Sequence, residues 1–159
     1  MNFKPIHPLT LNPFNPIMNR EEIKKIIPHR EPMLLVDTVD LVEDNLVHAT
    51  YQVRGDEFFL QGHYPGNPVV PGVILCEIMA QSSCMLVMQA LINRTPFYAG
   101  IDSVRFKKQV KPGDLIDIYA HITGNRGLLF YVHAEAKVNG QLCTVGELIF
   151  MLIDNEKLG

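Results

Sequence analysis

The 159-residue sequence has few cysteines, no excess of basic residues and no apolar run long enough to cross a membrane. Its three cysteines do not complete a disulfide framework, and Cys76 and Cys84 are too far apart on one predicted helix to bridge. A net charge of −3 argues against a nucleic-acid partner held by overall charge. The N-terminus also lacks the basic-then-apolar pattern of a secretory signal, so we expect a cytoplasmic protein.

Composition and length indicate one globular domain. Hydrophobic residues make up 47% of the chain and charged residues 19%, which is ordinary for a globular protein. The sequence shows no internal repeat, low-complexity segment or interdomain linker. We therefore predict a Pro-rich arm over residues 1–18 and a single domain over residues 19–159.

Turn signals divide the domain into a helix, two strands, a long helix and four strands. The first helix is predicted from Arg20 to Ile27, with Asn19 as its N-cap. Residues 73–92 are mostly apolar and contain no Pro or Gly, which predicts a buried helix about 30 Å long. Strands are predicted over residues 34–43, 46–53, 97–110, 115–123, 128–138 and 141–152.

This order of elements predicts an α+β fold. An antiparallel sheet of five to seven strands has one face to bury, and the long apolar helix is the element to bury it against. We expect the sheet to curl around that helix. The edge strand of such a sheet lacks a partner, which favours pairing with a second copy of the chain.

The predicted helix is preceded by a stiff loop rich in Gly and Pro, residues 62–72. His63 lies in this loop, and its reference pKa of about 6.5 allows it to accept a proton at cellular pH. Glu77 follows about one turn into the helix, where its apolar neighbours are expected to raise its pKa and keep it protonated. The loop and helix contain the motif His63-Tyr64-Pro65-Gly66-x-Pro68-x-x-Pro71-Gly72-Val73 and Glu77-x-Met79-Ala80-Gln81.

This motif resembles the hot-dog-fold β-hydroxyacyl-acyl carrier protein dehydratases of bacterial type II fatty-acid synthesis, in particular their FabZ branch. Residues 27–37, 99–108 and 110–114 are similar to the same family. The resemblance implies a hot-dog fold, a homodimer and often a trimer of dimers. It also implies conversion of (3R)-hydroxyacyl-[acyl carrier protein] to the trans-2-enoyl thioester, without a metal or organic cofactor.

The resemblance implies that His63 and Glu77 are the catalytic pair, contributed by opposite protomers. In one assignment His63 takes the C2 proton and Glu77 protonates the leaving hydroxyl. In the other, Glu77 orients or holds the water while His63 makes both proton transfers. The free N–H groups at Gly72 and Val73 suit a thioester oxygen that gains charge.

Each of the remaining polar candidates has two possible roles. Tyr64 lines or gates the pocket, or simply packs. Gln81 binds substrate or orients Glu77. His29 and Arg30 follow a predicted helix, where capping is favoured over catalysis. The other histidines have no ligand spacing, so no metal site is expected.

One dense basic run consists of Arg105, Lys107, Lys108 and Lys111. It is either a solvated strand end or a docking patch for acyl carrier protein, which is acidic. Rival functions are a dehydratase that also isomerises the trans-2 double bond to cis-3, a thioesterase, and an acyl-binding subunit without activity.

Overall fold

The computed structural model describes residues 17–158, except for the side chains of residues 41–43. Its strands are β1 (Ile17–Asn19), β2 (Thr38–Glu43), β3 (Leu46–Gln52), β4 (Arg94–Phe106), β5 (Leu115–Arg126), β6 (Leu129–Val138) and β7 (Gln141–Asp154). Its α-helices are α1 (Arg20–Ile23) and α2 (Gly72–Ser83), and short 3₁₀ turns occur at Phe58–Leu60, Cys84–Val87 and Asn155–Lys157. Within the described residues, the seven strands form one antiparallel sheet in the order β1-β2-β3-β5-β6-β7-β4.

The concave face of the sheet packs on α2, which confirms the predicted α+β arrangement. Buried and partly exposed residues alternate along β3 and β6, since successive side chains of a strand point to opposite faces. Helix α2 contacts β3, β5, β6 and β7. Its fully buried residues include Ile78 and Met79, which lie in the common core. One sheet face is therefore dry and the other is solvated.

Helix α1 begins as expected and ends early. The side chain of Asn19 accepts hydrogen bonds from the N–H groups of Glu21 and Glu22, and the Glu22 carboxylate accepts one from the Asn19 N–H at 2.9 Å. The predicted end at Ile27 is wrong, because the chain leaves the α-helix after Ile23 through tighter bonds such as Ile26 N–H to Ile23 C=O at 2.9 Å.

Helix α2 is also shorter than predicted. It ends at Ser83, continues as a 3₁₀ turn to Val87 and does not reach residue 92. Ser82 and Ser83 each turn their hydroxyl back to the carbonyl four residues earlier, at 2.9 and 2.6 Å. Such bonds compete with the helical backbone pattern, which accounts for the change of winding at this point.

The strand predicted from Leu34 begins later, at Thr38, because of tertiary contacts. Leu34 and Leu35 were expected in a strand, but they form a buried loop before β2. Side chains satisfy their backbone groups instead of a neighbouring strand: Arg20 donates to the Leu34 carbonyl and Gln81 accepts from the Leu35 N–H.

Strand β1 was missed altogether. It pairs with β2, so the last two residues assigned to the Pro-rich arm belong to the sheet. Residues 1–16 of that arm lie outside the described residues, and the domain division stays a prediction.

Strand β4 forms the end of the sheet and leaves large apolar side chains exposed. It runs from residue 94 to 106 instead of the predicted 97 to 110, and among the described residues it pairs only with β7. Its exposed apolar residues are Phe97, Tyr98, Ile101 and Phe106. In the part of the chain that the structure describes, no helix is long and apolar enough to cross a membrane.

Candidate active site

Glu77 lies on α2 and faces the loop that carries His29. Its Oε1 is 3.3 Å from Nε2 of His29 and accepts a 2.9 Å hydrogen bond from Nε2 of Gln81. The Glu77 side chain is 21% exposed, so it is largely withdrawn from water. The helix thus presents a carboxylate held by two nitrogen neighbours.

The pKa of Glu77 lies below its ordinary value. Burial raises this pKa, but hydrogen bonds from His29 and Gln81 and the charge of His29 lower it by more. The carboxylate is therefore ionised at neutral pH. The expectation that burial would keep Glu77 protonated is wrong, because it did not include the two donors that the fold supplies.

Gln81 links Glu77 to the loop before β2. It is 1% exposed, and its Nε2 donates to the Met33 carbonyl at 2.7 Å as well as to Glu77. Its Oε1 accepts from the Leu35 N–H at 2.8 Å. With both ends of the amide engaged by the protein, this geometry favours the orienting role, while substrate binding by Gln81 stays a prediction.

His63 presents a ring nitrogen, Nε2, for which the described residues provide no hydrogen-bond partner. Its Nδ1 lies 2.9 Å from the Val69 carbonyl, which can only accept, so Nδ1 carries the proton and Nε2 of the neutral ring has a lone pair. The ring stacks on Tyr64 with centroids 4.2 Å apart. Tyr64 itself is 59% exposed. A histidine held in this tautomer is suited to act as a base through Nε2.

Within one chain, His63 and Glu77 do not meet. The polar partner of the His63 ring is Val69, whereas Glu77 contacts His29 and Gln81, and the described residues show no hydrogen bond or ion pair between the two. A single protomer therefore shows no direct polar contact between His63 and Glu77.

The N-terminus of α2 lies beneath the end of β4. Gly72 and Val73 begin the helix, so their N–H groups have no acceptor within it. A Cβ on Gly72 would lie 2.8 Å from Cε1 of Phe106, which means that the aromatic ring occupies this space. The Val73 side chain is 72% exposed, an unusual position for an apolar residue beside a candidate site.

The basic run borders the same helix end. Arg105, Lys107, Lys108 and Lys111 are all exposed. The N–H groups of Lys107 and Lys108 donate to the Cys143 carbonyl, at 2.7 and 3.2 Å, which anchors the run to β7. Because Phe106 lies within the run and packs on Gly72, this positive charge lies next to the start of α2.

Comparisons with known proteins cover most of the chain. Residues 27–147 match the family model of the FabA-like domain. A 3-hydroxyacyl-[acyl-carrier-protein] dehydratase FabZ from Clostridium perfringens is 43% identical over 138 residues, which are 86% of this chain and 99% of the relative. The FabZ of Bacillus velezensis is 44% identical over 139 residues, again 86% and 99% of the two chains. The chain belongs to the FabZ family.

Solved structures show the same fold in this FabZ-family chain and in other proteins. A structure of the dehydratase heterocomplex ApeI:P from Xenorhabdus doucetiae matches with a TM-score of 0.74 at 23% identity, over 86% of this chain and 93% of the other. A thioesterase from Haemophilus influenzae matches with a TM-score of 0.64 at 15% identity, over 87% and 92%. At such identities the likeness concerns the fold alone, and it confirms the expected hot-dog fold.

His29 is a neighbour of Glu77 for which the sequence favoured helix capping over catalysis. The structure does not favour capping by His29, because α1 ends at Ile23 and Arg30 is the residue that donates to the Ile27 carbonyl, at 3.0 Å. A signal was present, because a carboxylate inside an apolar helix needs a donor. His29 follows Pro28, which restricts the backbone at this point of the loop.

Proposed function

We propose that this chain converts (3R)-hydroxyacyl-[acyl carrier protein] to the trans-2-enoyl thioester in type II fatty-acid biosynthesis. The observation that carries this proposal is the 43% identity to a FabZ dehydratase over 99% of that relative's length. The free Nε2 of His63 and the ionised Glu77 supply groups that such a reaction uses. The proposal places the enzyme in the cytoplasm and requires no metal or organic cofactor.

The proposed enzyme is a homodimer joined along β4. This strand has 13 residues, forms one edge of the sheet and exposes Tyr98 and Ile101 among other apolar residues. Pairing with the β4 of a second copy would continue the sheet and bury these side chains. We propose that the dimer brings His63 of one protomer to Glu77 of the other, and that three dimers assemble into a hexamer as the family resemblance implies.

The proposed reaction begins at Nε2 of His63, which takes the proton from C2 of the substrate. Negative charge then develops on the thioester oxygen, where the N–H groups of Gly72 and Val73 stabilise it. The C3–O bond breaks as the C2–C3 double bond forms. His63 passes its proton to the departing hydroxyl, so that water leaves and the imidazole returns to its neutral state.

The role of Glu77 follows from its charge. An ionised carboxylate accepts a hydrogen bond from the substrate hydroxyl and holds it, and later the water, beside His63. The lowered pKa of Glu77 supports this assignment over the one in which Glu77 is the acid. Gln81 orients Glu77, and Tyr64 lines the entrance next to His63.

The basic run is proposed to dock the carrier protein. Its exposed cations would attract an acidic partner, and their position beside α2 would bring the carrier-linked thioester close to the reactive groups. Attraction of this kind raises the association rate and weakens with salt.

Mass spectrometry of the products, with proton NMR to locate the double bond, tests the proposal directly. The purified protein is incubated with (3R)-hydroxyacyl-[acyl carrier protein], and loss of one water with a trans-2 double bond is expected. A cis-3 double bond would indicate an additional isomerase, and release of the free carrier thiol would indicate a thioesterase. An unchanged substrate would refute the proposed activity and favour the acyl-binding subunit.

A further inference from the structure

We propose that His29 is a positioning residue for Glu77, whose carboxylate it holds in place and in its ionised form through its Nε2–H. The inference begins with the contact itself. Nε2 of His29 is 3.3 Å from Oε1 of Glu77, and the His29 side chain is only 24% exposed. Gln81 donates to the same oxygen, so two nitrogens converge on one carboxylate atom.

The loop that carries His29 is tied to α2 at several points. The Arg30 carbonyl accepts hydrogen bonds from the N–H groups of Met33 and Leu34, at 2.8 and 3.0 Å, which closes a tight turn. Gln81 then binds the Met33 carbonyl and the Leu35 N–H. His29 therefore approaches Glu77 from a loop that Gln81 of the same helix, α2, holds in place.

The surroundings of His29 favour a ring proton on Nε2. The other nitrogen, Nδ1, is buried without a hydrogen-bond partner among the residues that the structure describes. A proton on Nδ1 would be an N–H with no acceptor, which is costly in a buried position. A proton on Nε2 points instead to the Glu77 carboxylate, 3.3 Å away.

The other titratable groups near Glu77 add no charge to its surroundings. Burial first, and the charge of Glu77 second, raise the pKa of Cys84 to about 12 and raise the pKa of Tyr98 as well. The pKa of Cys76 is raised mainly by burial. All three are therefore neutral at physiological pH, and in the proposed dimer the partner subunit's His63 faces the carboxylate from the substrate side.

The contribution of His29 to catalysis depends on the role of Glu77, so this part of the inference rests on the proposed dehydratase function. A carboxylate that must hold the substrate hydroxyl beside His63 works only if it is charged and correctly aimed. Loss of His29 leaves only Gln81, of these two donors, to oppose burial, so the pKa of Glu77 rises and its side chain is held less firmly.

The test compares His29→Leu with His29→Gln, whose amide Nε2–H takes the position of the ring donor but does not titrate. For hydration of a crotonyl thioester, His29→Leu is expected to lower kcat by about tenfold to a hundredfold while KM changes less than about twofold. When kcat of His29→Leu is measured over about pH 5 to 9, the acid limb of its profile is expected at higher pH than in the parent protein. In His29→Gln, kcat is expected to stay within about threefold of the parent value and the acid limb to stay at its parent pH. His121→Leu, a control away from the site, is expected to change neither kcat nor the limb.

A second readout separates this proposal from the proposed function. The carbon NMR signal of the Glu77 carboxyl, followed against pH, is expected to titrate at higher pH in His29→Leu than in the parent protein. That comparison holds even if the parent protein hydrates no thioester, a result that would refute the dehydratase proposal alone. Unchanged titration and kcat in His29→Leu would overturn the role of His29, as would equal losses in the Leu and Gln variants. If His29→Leu does not fold, failure of His29→Gln to keep the parent pH profile overturns it.

Discussion

The ring of Phe106 fills the space that a Cβ of Gly72 would occupy, with Cε1 only 2.8 Å from the ideal Cβ position. This relationship joins the last residue of β4 to the first residue of α2. It keeps the basic run, the helix N-terminus and the edge strand in one arrangement. Several expectations about stability and activity follow from it and from the contacts around Glu77.

Gly72→Ala is expected to lower the free energy of unfolding by about 1 kcal/mol, at the low end for overpacking. The cost is small because Phe106 is 56% exposed and its ring can turn outward. Urea unfolding measures it. In a Phe106→Ala background the same substitution is expected to cost clearly less, and an equal cost in both backgrounds would show that the ring is not the obstacle.

His63→Ala and Glu77→Gln are each expected to reduce hydration of a crotonyl thioester by at least about a hundredfold. The first removes the base and the second removes the negative charge that holds the hydroxyl. Circular dichroism and unfolding temperature serve as controls for an intact fold. Parent rates in both variants would refute the proposed mechanism.

Mixing these two inactive variants is expected to restore activity if the site spans the dimer. A mixed dimer contains one site with an intact His63 from one chain and an intact Glu77 from the other. Random exchange should then give about one quarter of the parent activity, since half of the dimers are mixed and each has one working site. Absence of any recovery after confirmed exchange would place both groups of a site in one chain.

Substitution of Lys107 and Lys108 by Glu is expected to raise KM for the carrier-linked substrate and to leave a small thioester nearly unaffected. The reason is loss of attraction to an acidic partner, an effect that should shrink as salt is added. Steady-state kinetics with both substrates measures it. The matched control changes Lys25 and Lys157, two exposed lysines elsewhere, to Glu, and equal effects of both pairs would count against docking at the basic run.

Asp37 is expected to make stability depend on pH in the acid range. Burial raises its pKa, but the N–H of Gln52 and the guanidinium groups of Arg54 and Arg20 together lower it by more. Its folded pKa thus lies below the unfolded value of about 3.9, so its contribution is complete above that value and is lost as pH falls through the folded pKa.

Asp37→Asn should therefore flatten the decline of stability at low pH. Near neutral pH it should lower the free energy of unfolding by about 1 to 3 kcal/mol, because Arg20 and Arg54 lose the charged partner they share. Urea unfolding at a series of pH values measures both effects. Asp56→Asn, at an exposed aspartate, is the control. An identical acid decline in the parent and Asp37→Asn would contradict the prediction.

Local features could be predicted from the sequence because their causes lie within a few residues. The capping of α1 by Asn19 depends on residues two and three positions later, and it formed as expected. The hairpin at Asn139-Gly140 has positive φ at both residues, 50° and 75°, as its composition predicted. The helix ends were wrong where side chains competed with the backbone, as at Ser82 and Ser83.

The candidate site shows where such local reasoning stops. Its loop, the start of its helix and the presence of His63 and Glu77 were evident from the sequence, since composition and spacing define them. The approach of His29 to Glu77, and with it the sign of the pKa shift of Glu77, depends on how distant segments pack. Tertiary structure alone decided these, because a carboxyl in an apolar helix is neutral or charged according to the donors that the rest of the fold brings to it.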